Sequence, residues 1–139
     1  MIICMSGIPG SGKSFQALKL AKRGNMFIVS ADFYFLDKPF DPTLLSRAHG
    51  ECFKRAIDWV SKGWDIVVDN TNLSAWEISP YSLLAQSLDT PFEIHRVECD
   101  PEVAFARQTH GVPRNSFDRM VQQFNKRDYL PWWRICGIH

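Results

Sequence analysis

Near its N-terminus the chain reads Gly7-Ile8-Pro9-Gly10-Ser11-Gly12-Lys13-Ser14. This octapeptide narrows the possible folds more than anything else in the sequence. It fills every fixed position of the pattern G-x-x-x-x-G-K-[ST]. Glycines at that spacing let the backbone wrap so that successive N–H groups face one anion. The start of a helix then adds a dipole that favours negative charge. Lys13 can reach terminal phosphates, and the Ser14 hydroxyl suits Mg²⁺. A bare glycine turn would account for neither residue. The loop needs a strand before it and a helix after it. Met1–Met5 is a short apolar run that reads as a strand. Lys13–Lys22 has helical character, with Phe15, Leu18 and Ala21 along one side and Gly24 as a stop.

The same alternation continues along the chain, as in a parallel α/β sheet. Met26–Ser30 reads as a second strand. Residues 31–42 hold Asp32, Asp37, Asp41 and two prolines, and read as a loop. Asp41-Pro42 then caps a helix that runs to about Ser61. Leu45, Ala48, Cys52, Ala56 and Trp59 form its apolar stripe. Asp65–Val68 opens a third strand, continuous with Asp69. Ser74 and Glu77 have capping-box spacing ahead of another helix. Pro80 should give that helix a short first turn or a kink. Phe92–Cys99 reads as a fourth strand, and Asp100-Pro101 starts a short helix over 102–109. Gly111 and Pro113 break it. Ser116 is expected to cap a last helix carrying Phe117, Met120, Val121 and Phe124 on one face. Tyr129–His139 is a tail with Pro131, Trp132 and Trp133.

Composition fits one soluble domain over 1–139. The chain has 139 residues, 45% hydrophobic and 22% charged, with net charge +1. That length suits a single core. The near-neutral balance excludes a surface coated in one sign of charge, though not a local basic patch. No apolar run is long enough for a membrane span, and no export signal is evident, so no membrane partner is expected. Cys4, Cys52, Cys99 and Cys136 form no C-x-x-C pair. They read as reduced, mostly buried thiols of a cytoplasmic protein rather than zinc ligands. Asn125-Lys126-Arg127-Asp128 spells N-K-x-D, as in guanine-binding proteins. Here it ends an amphipathic helix, and no D-x-x-G occurs. Lys126 and Arg127 read instead as cations facing a helix C-terminus.

In open parallel sheets, ligands sit beyond the carboxyl ends of the strands. Asp32 and Asp69–Asn72 end the second and third strands, so they should face the same side as the phosphate loop. Phosphoryl transfer needs a metal, cationic charge and a group that orients the nucleophile. Asp32 is the candidate to accept a hydroxyl proton. Asp69 is the candidate for a metal-water ligand. Turn capping would also place aspartates there. Arg107, His110 and Arg114 cluster about a Gly-Pro-broken loop, as in a lid that brings cations over phosphates. His49 lies mid-helix and reads as structural. Trp132 and Trp133 read as core or interface packing, which makes a homo-oligomer an expectation to test.

Gly7–Ser14, Ser30-Ala31-Asp32-Phe33-Tyr34, Asp69-Asn70-Thr71-Asn72-Leu73 and Arg107–Pro113 occur in an order and spacing that resembles one family. This is the P-loop kinase domain of polynucleotide 5′-hydroxyl kinases, including phage kinases and NEDD-binding-type kinase-like domains. The resemblance spans nearly the whole chain. It implies a P-loop NTPase fold of about four parallel strands in order 2-3-1-4, flanked by helices, with a small helical lid. It implies ATP and Mg²⁺ as cofactors and the 5′-hydroxyl end of DNA or RNA as acceptor. Gly7, Pro9, Gly10, Ser11, Gly12, Lys13, Ser14 and Arg107 would bind nucleotide. Lys13, Asp32, Arg107 and His110 would be catalytic, and Ser14 and Asp69 would hold the metal. The register leaves Asp69 and Asn70 as alternatives for one functional position. Two departures stand out. Phe35 replaces an arginine that grips the acceptor-end phosphate, and His110 replaces a second lid arginine. A nucleoside, modified base or other small alcohol is therefore a second acceptor class. A nucleotide-binding interaction module is a third reading.

Overall fold

The computed structural model describes residues 1–138. Strand β1 (Ile2–Ser6) is buried along its whole length. A strand covered on both faces has no reason to alternate polar and apolar residues, which explains the continuous run Ile2-Ile3-Cys4-Met5. Around it lie β2 (Phe27–Val29), β3 (Ile66–Val68), β4 (Phe92–Val97) and β5 (Arg134–Ile138), in the order β2-β3-β1-β4-β5. Every pairing is parallel. The order of the first four matches the expectation, and the fifth strand is added at the β4 edge. Arg134-Ile135-Cys136-Gly137-Ile138 lacks a continuous apolar run because an edge strand is only half covered. The expected tail runs on to His139, which lies outside the described residues.

One face of the sheet carries α1 (Lys13–Gly24), which packs Ala17, Leu20 and Ala21 over Ile3, Met5 and Val67. Phe15 and Leu18 are exposed, which corrects the expected stripe. The phosphate loop sets how the helix is rotated as it leaves β1, and that rotation turns the small residues inward. The other face carries α2 (Leu45–Ser61) and α3 (Ala75–Ser87). Ala48, Cys52, Ala56 and Val60 bury the α2 stripe. Leu45 is exposed, and Trp59 stacks on Phe27 with ring centroids 3.7 Å apart. Asp41 does cap with Pro42 behind it, but it caps a 3₁₀ turn, Pro42–Leu44, that leads into α2. Helix α3 runs unbroken past Pro80.

Residues Ala31–Phe35, expected as loop, form a 3₁₀ helix capped by Ser30 Oγ, which accepts from the Asp32 N–H at 3.2 Å. Helices α4 (Pro101–Arg107) and α5 (Arg114–Asn125) make a separate small core with Ile8 and Leu73. Helix α5 starts one turn before the expected cap. Ser116 lies inside it and accepts from Arg119 at 3.3 Å. Gln108 explains this early start. Its side-chain amide donates to Val112 O and accepts from Val112 N–H, both at 2.9 Å, and so closes the loop just before Pro113. No helix among the described residues is long and apolar enough to cross a membrane. The four cysteines are free; Cys4 and Cys52 are buried, and Cys99 and Cys136 are half-buried.

Candidate active site

The phosphate loop is held from below and from above. From below, Gly7 N–H donates to Thr71 O at 3.0 Å, and Asn72 Nδ2 donates to Met5 O at 2.7 Å. These bonds tie the loop to the end of β3. From above, α4 presses on Gly10. A Cβ there would fall 2.0 Å from Ala104 O, and φ is +81°. Only glycine meets both conditions. Gly12, at φ +92°, precedes α1 and offers no side-chain cap to its first amides. Those amides face the cleft with their positive dipole end. Ser11 Oγ is the buried side-chain polar atom without a partner among the described residues. It lies against Gly7 and not on the cleft wall, so it is the backbone amides at the start of α1 that fit the anion the sequence implies.

Lys13 Nζ lies 3.0 Å from Asp69 Oδ1, with the two side chains 13% and 11% exposed. Successive residues of an extended chain point opposite ways. Both residues border the cleft, but the Asp69 carboxylate turns to Lys13 while the buried Asn70 amide turns inward. Asn70 Oδ1 accepts from the Ala31 N–H at 2.9 Å, and its Nδ2 donates to Cys52 Sγ at 3.6 Å. Tyr81 OH donates to the same sulfur at 3.3 Å. Burial pushes the Cys52 thiol and the Tyr81 phenol up from their ordinary pKa values, and pushes Cys4 well up. This neutral buried network fixes the backbone just ahead of Asp32.

Lys13, Asp32, Asp69, Arg107 and His110 all line one cleft of about 640 Å³. Arg107 donates from Nε and Nη2 to Gly10 O, at 3.2 and 3.0 Å. His110 Nε2 stands 3.7 Å from Asp32 Oδ2, with side chains 57% and 64% exposed. Ser14 lines the cleft as well, beside Gly10 and Gly12. Arg114 does not join this group, which corrects the expected three-cation cluster. It bonds the Glu102 carboxylate, pairs with Asp118 at 3.1 Å and covers the Phe105 ring. These contacts hold Glu102 below the usual carboxylate range and make Arg114 a brace between α4 and α5.

Several cleft residues were not singled out for the site from sequence. Phe40, Leu45 and Glu77 line it, as does His49, which read as structural; Phe35, singled out as a departure at the acceptor end, lines it too. Glu77 was legible as a helix-start residue, but its Oε2 accepts from Leu73 N–H at 2.6 Å instead of closing on Ser74. Asp128 of the N-K-x-D string accepts from Ala75 N–H at 3.0 Å and so caps α3. Trp133 is core, with Nε1 donating to Ser82 Oγ at 2.8 Å, whereas Trp132 is exposed. Far from the cleft, Glu93, His95 and Cys136 converge on the β4–β5 pair; there Glu93 already bonds His95 at 3.0 Å and Arg134 at 3.4 Å.

A family model described as an AAA domain matches residues 2–126. The chain belongs to this AAA-domain family. Human NEDD4-binding protein 2 is 33% identical over 142 residues, an overlap covering 94% of this chain and 8% of the human protein. The chain thus spans a small part of that relative's length. A chain of the Pnkp1/Rnl/Hen1 RNA repair complex superposes with a TM-score of 0.74 at 18% identity, over 90% of this chain and 44% of the other. Kti12 of Chaetomium thermophilum, in complex with ADP-AlF3, superposes with a TM-score of 0.70 at 14% identity, over 99% and 88%. The architecture is that of the P-loop kinases, with a fifth strand beyond the four expected.

Proposed function

We propose that this P-loop kinase domain moves the γ-phosphate of ATP onto a hydroxyl, and that the hydroxyl is the 5′ end of a polynucleotide. The observation that carries the reading is the shared cleft: Asp32 opens onto the same space as Lys13 and the loop amides. A carboxylate there can take a proton from an alcohol aimed at a phosphate held by the loop.

In this reading the loop amides bind the phosphate chain, and Lys13 leaves Asp69 to contact its β- and γ-oxygens. Arg107 is anchored at Gly10 O, so its guanidinium can add charge at the same end. Asp32 accepts the hydroxyl proton as the alcohol oxygen bonds to Pγ and the bond to the β-phosphate oxygen breaks, releasing ADP. His110 lies beside Asp32 and orients either the carboxylate or the acceptor. Ser14 and Asp69 would hold Mg²⁺, which when bound neutralises charge on the β- and γ-phosphate oxygens. The polynucleotide acceptor draws support from the motif set Gly7–Ser14, Asp32, Asp69–Asn72 and Arg107. It also draws support from the likeness to a chain of an RNA repair complex.

The test is incubation with Mg²⁺ and γ-labelled ATP, together with 5′-hydroxyl DNA and RNA oligonucleotides and their 5′-phosphorylated counterparts. Label on the hydroxyl ends alone is expected. Absence of transfer by protein that still binds ATP would overturn the polynucleotide acceptor.

A further inference from the structure

The cleft has two chemically distinct ends. Its cations, Lys13 and Arg107, lie at the phosphate end, where one is paired with Asp69 and the other bonded to Gly10 O. At the other end stand Asp32, with His110 3.7 Å from it, and Phe35, Phe40, Leu45 and His49. The formal charge there is acidic. Among the described lining residues, no lysine or arginine faces that end. A phosphodiester pressed into this wall would meet the Asp32 carboxylate with only His110 and His49 beside it, so a strand end would turn its first phosphodiester out to solvent. A flat apolar group would meet the opposite situation. Phe35 and Phe40 stand with ring centroids 5.1 Å apart at 58°, and Phe40 is 63% exposed beside the exposed Leu45. Aromatic faces of this kind stack nucleobases without regard to charge.

We propose that the acceptor end is a nucleoside-reading subsite. It seats the base of the terminal nucleoside against Phe40, Phe35 and Leu45, puts the sugar hydroxyl at Asp32, and contacts no phosphate of the acceptor. The proposal rests on the phosphotransfer reading for its orientation, but the binding it describes is measurable without turnover. It names the acceptor's recognised part as one uncharged nucleoside, whether free or at a strand end. The reacting atoms remain those given above.

Equilibrium dialysis tests this with labelled adenosine, guanosine, cytidine and uridine, and with a 5′-hydroxyl pentanucleotide. Saturating ADP and Mg²⁺ keep these probes out of the nucleotide site, and two salt concentrations are compared. At least one nucleoside and the pentanucleotide are expected to bind within about threefold of each other. Both should be flat with salt, because no phosphate contact means no counterion release. Phe40→Ala should weaken both about tenfold, the loss of one stacked base, and leave ADP binding unchanged. Phe40 is exposed, so the variant keeps its fold, checked by thermal melting. A pentanucleotide that binds a hundredfold more tightly and loosens steeply with salt would overturn the proposal. So would failure of every nucleoside to bind, or an inert Phe40→Ala. Labelled ATP in parallel samples separates the two readings. Nucleoside binding without transfer would leave this subsite standing and remove the kinase reading.

Discussion

At the phosphate end of the cleft, Gly10 sits so close under α4 that one methyl group would strike Ala104 O, and Lys13, Thr71 and Asn72 are each held by a named partner. At the acceptor end, Phe40 and Leu45 are exposed, and the half-exposed His110 faces Asp32 at 3.7 Å. The first end is shaped by backbone, which only a few residue types permit. The second is shaped by side chains on a short 3₁₀ helix and the first turn of α2. A triphosphate has one shape, and the loop is built around it in advance. The alcohol acceptor varies between kinases, and its wall can change residue by residue without disturbing the loop.

If the two ends are separable in this way, Asp32→Asn should give the largest effect. Turnover is expected to fall by about 10²–10⁴ while ATP affinity holds, measured as kcat beside an ATP-binding isotherm. Equal loss of both would break the separation. Gly10→Ala probes the other end. The strained φ and the clash should cost about 3 kcal/mol or more of stability and should abolish nucleotide binding, read by denaturant melts with and without ATP.

A third test addresses the network beneath Asp32. Cys4 and Cys52 stay protonated in the folded chain at pH values where unfolded thiols, at the ordinary value of 9.0, ionise. The unfolded chain then binds fewer protons than the folded one, so stability is fully present below pH 9 and falls as pH rises above it. The slope should approach about 1.4 kcal/mol per pH unit for each buried thiol. Chemical denaturation from pH 7 to 10.5 measures it, and Cys52→Ala should flatten the curve. The smallest effect belongs to a residue outside both ends. Asp128→Ala removes the acceptor for Ala75 N–H and leaves the Ser74 cap on α3 in place, and should cost about 1 kcal/mol or less with turnover unchanged.

The parts of this molecule legible in sequence are those where the backbone itself demands a residue type. Gly7–Ser14 is one, and the aspartates closing β2 and β3 are others. The cap Asp100-Pro101 was legible for the same reason, with Asp100 accepting from Glu102 and Val103 N–H. What escaped depends on tertiary neighbours. Whether Arg107 or Arg114 would turn to the cleft was decided by Glu102 and Asp118, which took Arg114. The rotation of α1 that exposes Phe15 follows from the loop's exit angle, which has no apolar period of its own. β5 needed only one apolar face, so its pattern resembled a tail. The directions in which the Asp69 and Asn70 side chains turn depend on where β3 ends, which its pairing with β1 and β2 over Ile66–Val68 sets.

The central position of β1 also governs when the site can come into being. The first strand to be synthesised is the one that must lie in the middle, and Ile2 finds its neighbours in Ile66 and Phe92. Arg107 reaches back to Gly10 from later still. The octapeptide that defines the domain therefore emerges before the later strands and the arginine that shape it. Until most of the chain has left the ribosome, an apolar strand waits unpaired, and loop closure over these separations sets the pace of folding. A chain ended before Phe92 would carry the whole phosphate-loop motif and lack β4 and β5, two of the five strands that give it its shape.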